Sequence, residues 1–203
     1  MKVSILISSY NGRWDIPLLM ESIKNLVPGS HDLEVVLRDD NSRDGTSREV
    51  VTNYPWVKLI AGTRNVGFAK SNNIAFRHAT GDVICCLNQD TILDRHFLEE
   101  GLKIFENRPE VAAVNTNMIM PWVLTLDEFQ KTPPERLPAY EYQLTPYGFA
   151  RYSKVGPVVR STNFLTGGGF FIRRSALDKE ENLFDPNISM YCEDTDLSLR
   201  LMK

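Results

Sequence analysis

Short apolar runs alternate with amphipathic stretches through the first half of the chain. This alternation constrains the fold more than any other feature. Val3 to Ile7 is short, β-branched and mostly apolar, as a strand buried in a parallel sheet must be. Glu34-Val35-Val36-Leu37, Val57 to Ile60, Asp82 to Leu87 and Val111 to Val114 read the same way. Between them, Ile16, Leu19, Met20, Ile23 and Leu26 recur at helical spacing, and Pro28-Gly29 should stop that helix. The spacing predicts further helices after Asp44-Gly45-Thr46, over Phe68 to Ala79 (closed by Gly81 as a C-cap glycine) and around Phe97, Leu98, Leu102 and Phe105. Asp44 is the expected cap of the second helix. Strands joined through helices by short connections imply a mainly parallel sheet covered on both faces, in one domain.

Ligands of such sheets bind outside the carboxyl ends of the strands. Three of the predicted strands end in polar or acidic groups there: Ser8-Ser9-Tyr10-Asn11, Asp39-Asp40 and Asn88-Gln89-Asp90. Each has a bland reading beside the functional one. Asp39-Asp40 can accept from a base or ribose, or form an Asx turn. Asp90 can ligate Mg²⁺ or Mn²⁺, which take one or two carboxylates plus phosphate oxygens, or can start a helix. Glu193, Asp194 and Asp196 can supply a general base, or suit the positive end of a helix predicted over Glu193 to Met202. Arg64, Asn65, Gly67 and Lys70 offer donors for phosphate, or form a tight turn. Gly167, Gly168 and Gly169 permit close backbone approach to a ligand, or mark a bulge. No P-loop and no GxGxxG fingerprint occurs.

Met118 to Arg160 breaks the alternation. Six prolines and seven aromatic residues fall there, so an irregular insertion within the domain is expected, not a linker. Strand character returns at Thr162 to Arg174. Charged residues are 24% of the 203, with a net charge of −3, which excludes a protein run by a strongly basic field and argues against nucleic acid as partner. The longest apolar run is five residues, Val83 to Leu87, far below the roughly 20 of a membrane span. The start, MKVSILISSYNG, reads as a strand and not as a signal peptide. Cys85, Cys86 and Cys192 form no CxxC pair and suit a reducing compartment, so a cytoplasmic location is expected. His31, His78 and His96 are scattered and expected on the surface.

The order of these motifs carries more than any one of them. VSILISSYN (3–11), LRDDNSRDGT (37–46), RNVGFAKSNN (64–73), GDVICCLNQDT (81–91), LTGGGFFIRRSAL (165–177) and MYCEDTDLSLRL (190–201) together resemble glycosyltransferase family 2. These are inverting nucleotide-sugar transferases, and the nearest likeness is to a rhamnosyltransferase-type branch that builds cell-surface polysaccharide. The resemblance implies the A-type fold, a Rossmann-like, mostly parallel central sheet flanked by helices. It implies a nucleotide-binding half (1–117) and an acceptor-side half (118–203) of one catalytic domain, with the chain continuing beyond Lys203 in the full protein. Ser9, Tyr10, Asn11, Asp39 and Asp40 would hold the nucleoside. Arg64, Asn65, Gly67 and Lys70 would lie near ribose and diphosphate, with Asn88 and Gln89 beside them. Asn88 stands where the family's Asp-x-Asp has its first carboxylate, which leaves Asp90 as the ligand of Mg²⁺ or Mn²⁺. Asp194, following Glu193, matches the catalytic carboxylate, and Gly167 to Gly169 would line the acceptor side. The implied donor is a dTDP- or UDP-linked sugar, the implied acceptor a saccharide or lipid-linked hydroxyl. A lipid-linked acceptor would put the protein peripherally at the inner membrane face. A sugar nucleotidyltransferase and a nucleotide-sugar-binding module without transfer activity are the alternative readings.

Overall fold

A strand flanked on both sides by other strands, and covered above and below, must be apolar at nearly every position. The chain meets this at β1 (Lys2–Ser9), where Val3, Ile5, Leu6 and Ile7 are wholly buried. The structure, a computed structural model, describes residues 1–27, 31–119, 125–133, 136–146, 150–155, 159–177, 182–188 and 191–202. Pro28-Gly29, the expected helix stop, lies outside them. β1 pairs in parallel with β2 (Asp32–Asp39) on one side and β4 (Val83–Asn88) on the other, and β2 pairs in parallel with β3 (Lys58–Ala61). The registers set Ser9 opposite Asp39, Asp39 opposite Ala61 and Ser8 opposite Asn88, so the polar strand ends share one edge.

Alternation of side chains sorts two cores. Ile5, Ile7, Val83, Cys85 and Leu87 face α1 (Ile16–Lys24), α2 (Thr46–Asn53) and α4 (Phe97–Asn107), which contribute Leu19, Met20, Val50, Leu102 and Phe105. Leu6, Val36, Ile84 and Cys86 face α3 (Phe68–His78) on the other side, with Phe76, Phe184 and Leu197. Gly81 does not close α3, because Ala79 already leaves it in extended conformation. Gly81 is small for another reason. A Cβ there would lie 2.6 Å from the Ser4 backbone nitrogen, and its own N–H donates to Ser4 Oγ at 2.7 Å.

Beyond α4 the sheet changes direction. β8 (Gly169–Arg173) runs antiparallel between β4 and β5 (Ala113–Asn115), giving the order β3-β2-β1-β4-β8-β5. Gly169 therefore pairs with Leu87, and the glycine-rich turn arrives at the edge where β4 ends. The segment expected to be irregular holds a short helix, α5 (Leu126–Lys131), started by a capping box between Thr125 and Glu128. It also holds an antiparallel ribbon, β6 (Ala139–Leu144) with β7 (Ala150–Val155). Asn117 bonds Pro138 O and Tyr140 N, and Asn163 bonds both polar groups of Leu144, which ties the ribbon to the domain. The last helix is α6 (Glu193–Leu201).

Candidate active site

The turn after β1 is built by a side chain from β4's end. Gln89 Oε1 accepts from Ser9 Oγ at 2.7 Å and from Tyr10 N at 2.9 Å, and Gln89 Nε2 donates to Asp15 Oδ2 at 3.3 Å. A Cβ on Gly12 would sit 2.5 Å from Gln89 Oε1, so only glycine admits this latch. Asn11, in left-handed conformation, donates its N–H to Ser42 Oγ and accepts from Arg43 N, joining this turn to the one after β2. Asp44 accepts from Arg13 N and Thr46 N, but it is not the expected cap of α2: Gly45, in left-handed conformation, holds that position without a side-chain bond, and Asp44 closes a local turn one residue earlier. Its burial alone would raise its carboxyl, but the hydrogen bonds from Thr46 and Arg13 hold it below the usual range. Of the expected nucleoside contacts here, Ser9, Asn11 and Gln89 thus have internal partners. The Tyr10 ring is half exposed at the edge.

Asp39 and Asp40 are both buried. Asp39 accepts the Ser42 N–H at 3.0 Å and the hydroxyls of Ser42 and Ser47. Asp40 accepts the N–H groups of Val66 (2.9 Å) and Gly67 (3.0 Å), and Arg38 lies 3.7 Å away as its counter-charge. The Asn65-Val66-Gly67 turn therefore aims its amides at Asp40. Asn65 Oδ1 also accepts from Gly67 N. Arg64 and Lys70 are exposed, and neither has a hydrogen bond or ion pair among the described residues. They remain available to an anion.

Asp90 is exposed beyond β4 and also has no internal partner among the described residues; Asn88 is half-buried beside it. Asp15 stands nearby: burial raises its carboxyl, the charge of Asp90 raises it further, and the Gln89 bond works against both. Among the described residues no cluster of three or more His, Cys, Asp or Glu could hold a cation alone.

The fourth contribution comes from β8 and α6. Asp194 is partly exposed; its Oδ2 accepts from Gly167 N at 3.3 Å and its Oδ1 from Thr195 N at 2.7 Å. Ser198 supports both partners, donating to Asp194 O and accepting from Leu165 N. A Cβ on Gly167 would meet Asp194 Oδ2 at 3.7 Å and Glu193 Oε1 at 3.8 Å, ordinary contact distances. Gly168 and Gly169 instead make room for Met118 and Thr116, whose atoms would meet an added Cβ at 2.1 and 2.8 Å. Glu193, paired with Asp194 in the sequence, points inward and is buried. Sequence reasoning missed Asp15, Arg38 and Ser198. Only Asp15 carried a signal, an acid just before a Pro-containing first helical turn.

A largely parallel sheet with an antiparallel strand beside β4, and polar loops gathered at one edge, is the A-type glycosyltransferase fold. The mannosyltransferase PcManGT from Pyrobaculum calidifontis, solved with GDP-Man and Mn²⁺, superposes with a TM-score of 0.69 at 21% identity, over 98% of this chain and 51% of that one. The S. aureus TarS complex with UDP-GlcNAc gives 0.68 at 18% identity, over 99% and 53%. The chain belongs to glycosyl transferase family 2, whose model matches residues 4–180. A dolichol-phosphate mannosyltransferase of Pyrococcus furiosus is 30% identical over 115 residues, 55% of this chain and 32% of that protein. The chain thus spans about a third of that relative and about half of each solved neighbour.

Proposed function

We propose that this domain transfers a sugar, with inversion, from a nucleoside-diphosphate sugar to a hydroxyl of a saccharide or lipid-linked acceptor. The observation that carries this is Asp194, a partly exposed carboxylate oriented by two backbone N–H groups at the edge where β1, β2 and β4 end. A hydroxyl hardly ionises at neutral pH, so a base must take its proton as it attacks. In this reading Asp194 takes that proton, the acceptor oxygen bonds to the anomeric carbon from the far face, and the carbon–oxygen bond to the diphosphate breaks. Its electron pair leaves on the β-phosphate. One base and no carboxylate nucleophile are needed, unlike a retaining glycosidase. Arg64 and Lys70, whose side chains have no partner among the described residues, offer cations for the diphosphate, and Tyr10 offers a stacking face for the base. Asp90 fits a cation that draws most of its oxygens from phosphate and water. Bound there, Mg²⁺ or Mn²⁺ would neutralise charge on the departing diphosphate. The solved neighbours with GDP-Man and Mn²⁺ and with UDP-GlcNAc support a nucleotide-sugar donor.

Residues 118–203 shape the acceptor side, and the tyrosines of the β6–β7 ribbon suit sugar rings. Among the described residues no helix is long and apolar enough to cross a membrane. A lipid-linked acceptor would bring the protein to the cytoplasmic membrane face. A dTDP- or UDP-linked donor, rhamnose in particular, is the specific form of the proposal, with polysaccharide synthesis as its setting. Asn88 in place of a carboxylate favours a second reading, a nucleotide-sugar-binding module that transfers nothing.

Thermal unfolding with UDP, dTDP, GDP and CDP, each with and without Mn²⁺, identifies the donor base; a ligand at 100 times its Kd stabilises by about 2.7 kcal/mol. Asp194→Asn should abolish transfer and leave that shift intact. Transfer by the variant, or equal loss of binding, sinks the base assignment. A wild-type protein that shifts with nucleotide but transfers from no matching donor is the binding module.

A further inference from the structure

The adjacent acids Glu193 and Asp194 sit in opposite environments. Asp194 is partly exposed, whereas Glu193 is 7% exposed. Its Oε2 is one of the buried side-chain atoms with no hydrogen-bond partner among the described residues. Among the described residues, the groups that face it are Asp194 on its own helix, the Cys86 thiol on β4 and the uncharged turn at Gly167. None of the ion pairs among the described residues includes it. An ionised carboxylate in that place would be desolvated, without a cation, and beside a second anion.

We propose that Glu193 works uncharged, as a buried positioning residue at the start of α6, and that Asp194 alone of the pair exchanges a proton with the acceptor. The inference deepens the transferase reading and rests on it for the acceptor. Burial pushes the Glu193 carboxyl above the ordinary glutamate range, and the charge of Asp194 adds to the rise; the bond from its own backbone N–H works the other way. Burial, with Glu193 nearby, likewise pushes the Cys86 thiol up to about 12. The surroundings thus favour the neutral forms of the Glu193 carboxyl and the Cys86 thiol. Positioning matters at this point because the backbone enters α6 through two left-handed non-glycine residues, Tyr191 (φ 64°) and Cys192 (φ 66°). The Glu193 side chain, packed inward and closed on its own amide, anchors the helix end from which Asp194 projects. Two carboxylic acids given different roles by their environments is a general device of active sites.

The test compares wild type, Glu193→Gln, Glu193→Ala and Asp194→Asn. Gln reproduces the shape of the neutral acid, so it should keep kcat within about threefold, whereas Ala should lose roughly tenfold or more in kcat. As pH rises, Glu193 in the wild type ionises and transfer should fall, while Gln, which cannot ionise, should hold its rate to higher pH. A Gln variant as inactive as Asp194→Asn, or an alkaline limb identical to wild type, overturns the inference. A second readout needs no acceptor. A carboxyl raised in the folded state penalises folding increasingly as pH climbs from the ordinary glutamate value of 4.5 through its folded value. The urea midpoint of wild type should therefore match that of Glu193→Gln at about pH 4 and fall below it by about pH 8. A gap that is flat or reversed refutes the neutral state. If the wild type transfers nothing, the transferase reading fails while the urea comparison still decides the charge of Glu193.

Discussion

Replacing Asp40 with Ala tests whether the second acid of the pair after β2 is a structural latch. Its carboxylate takes the N–H groups of Val66 and Gly67 at 2.9 and 3.0 Å and faces Arg38 at 3.7 Å, with side-chain exposures of 4% for Asp40 and 6% for Arg38. Leaving a buried donor unpaired costs about 1–3 kcal/mol. Breaking a buried ion pair from one side costs about 3–5 kcal/mol, because the remaining charge is stranded. One carboxylate serves all these partners, so the costs overlap, and a total of about 3–5 kcal/mol is expected. For a domain of this size that lowers Tm by roughly 6–20 °C. Asp40→Asn keeps an acceptor oxygen but loses the charge, and should fall between Ala and wild type. Urea unfolding at neutral pH, followed by circular dichroism and by fluorescence, measures it. A loss for Ala below about 1 kcal/mol, with the nucleotide-induced shift abolished, would mean that Asp40 is a ligand contact and that the internal bonds contribute little.

Asn73 holds Phe184 by both of its polar groups, at 2.7 and 2.8 Å, across a separation of 111 residues. Asn73→Ala should cost about 2–4 kcal/mol and speed hydrogen exchange at the Phe184 amide; unchanged protection there refutes the latch. Gly62→Ala would drive a Cβ to within 2.5 Å of the Arg38 guanidinium carbon, costing about 1–3 kcal/mol. Because Arg38→Ala frees that space, the double variant should cost less than the sum of the singles; strict additivity counts against the contact. Of the three cysteines, Cys192 is exposed while Cys85 and Cys86 are buried, so a thiol reagent should label one site in the native protein and three after unfolding. Burial alone would raise Glu34, but hydrogen bonds from Ser4 and Thr80 outweigh it and hold its carboxyl below the ordinary value of 4.5. That stability is present above the ordinary value and lost as pH falls through the folded one, so Glu34→Gln should destabilise at neutral pH and approach wild type in acid. A constant difference would exclude charge as the cause.

The parallel half of the fold was legible because periodicity is a local property. The runs at β1, β2 and β4 are apolar on both faces, and the helical stripes of α1, α3 and α4 face them. The acids at the strand ends were equally legible, since ligands of such sheets gather at that edge. Partners were not. Nothing in Gly169 to Arg173 states that it runs antiparallel between β4 and β5, because strand propensity carries no direction. Gly81 looks like a helix stop in one dimension and is a contact with β1 in three.

Sequence alone determined the family, the sheet, and which residue types stand at its working edge. Only the tertiary structure decided how those residues are used. Asp40 closes on Val66 and Gly67, Gln89 builds the turn after β1, and Arg64, Lys70, Asp90 and Asp194 keep a face toward solvent. Glu193 and Asp194 are neighbours in the chain and opposites in environment, since successive positions on a helix start face different directions. Charge state and role follow from desolvation and partners, and those are set by residues distant in sequence.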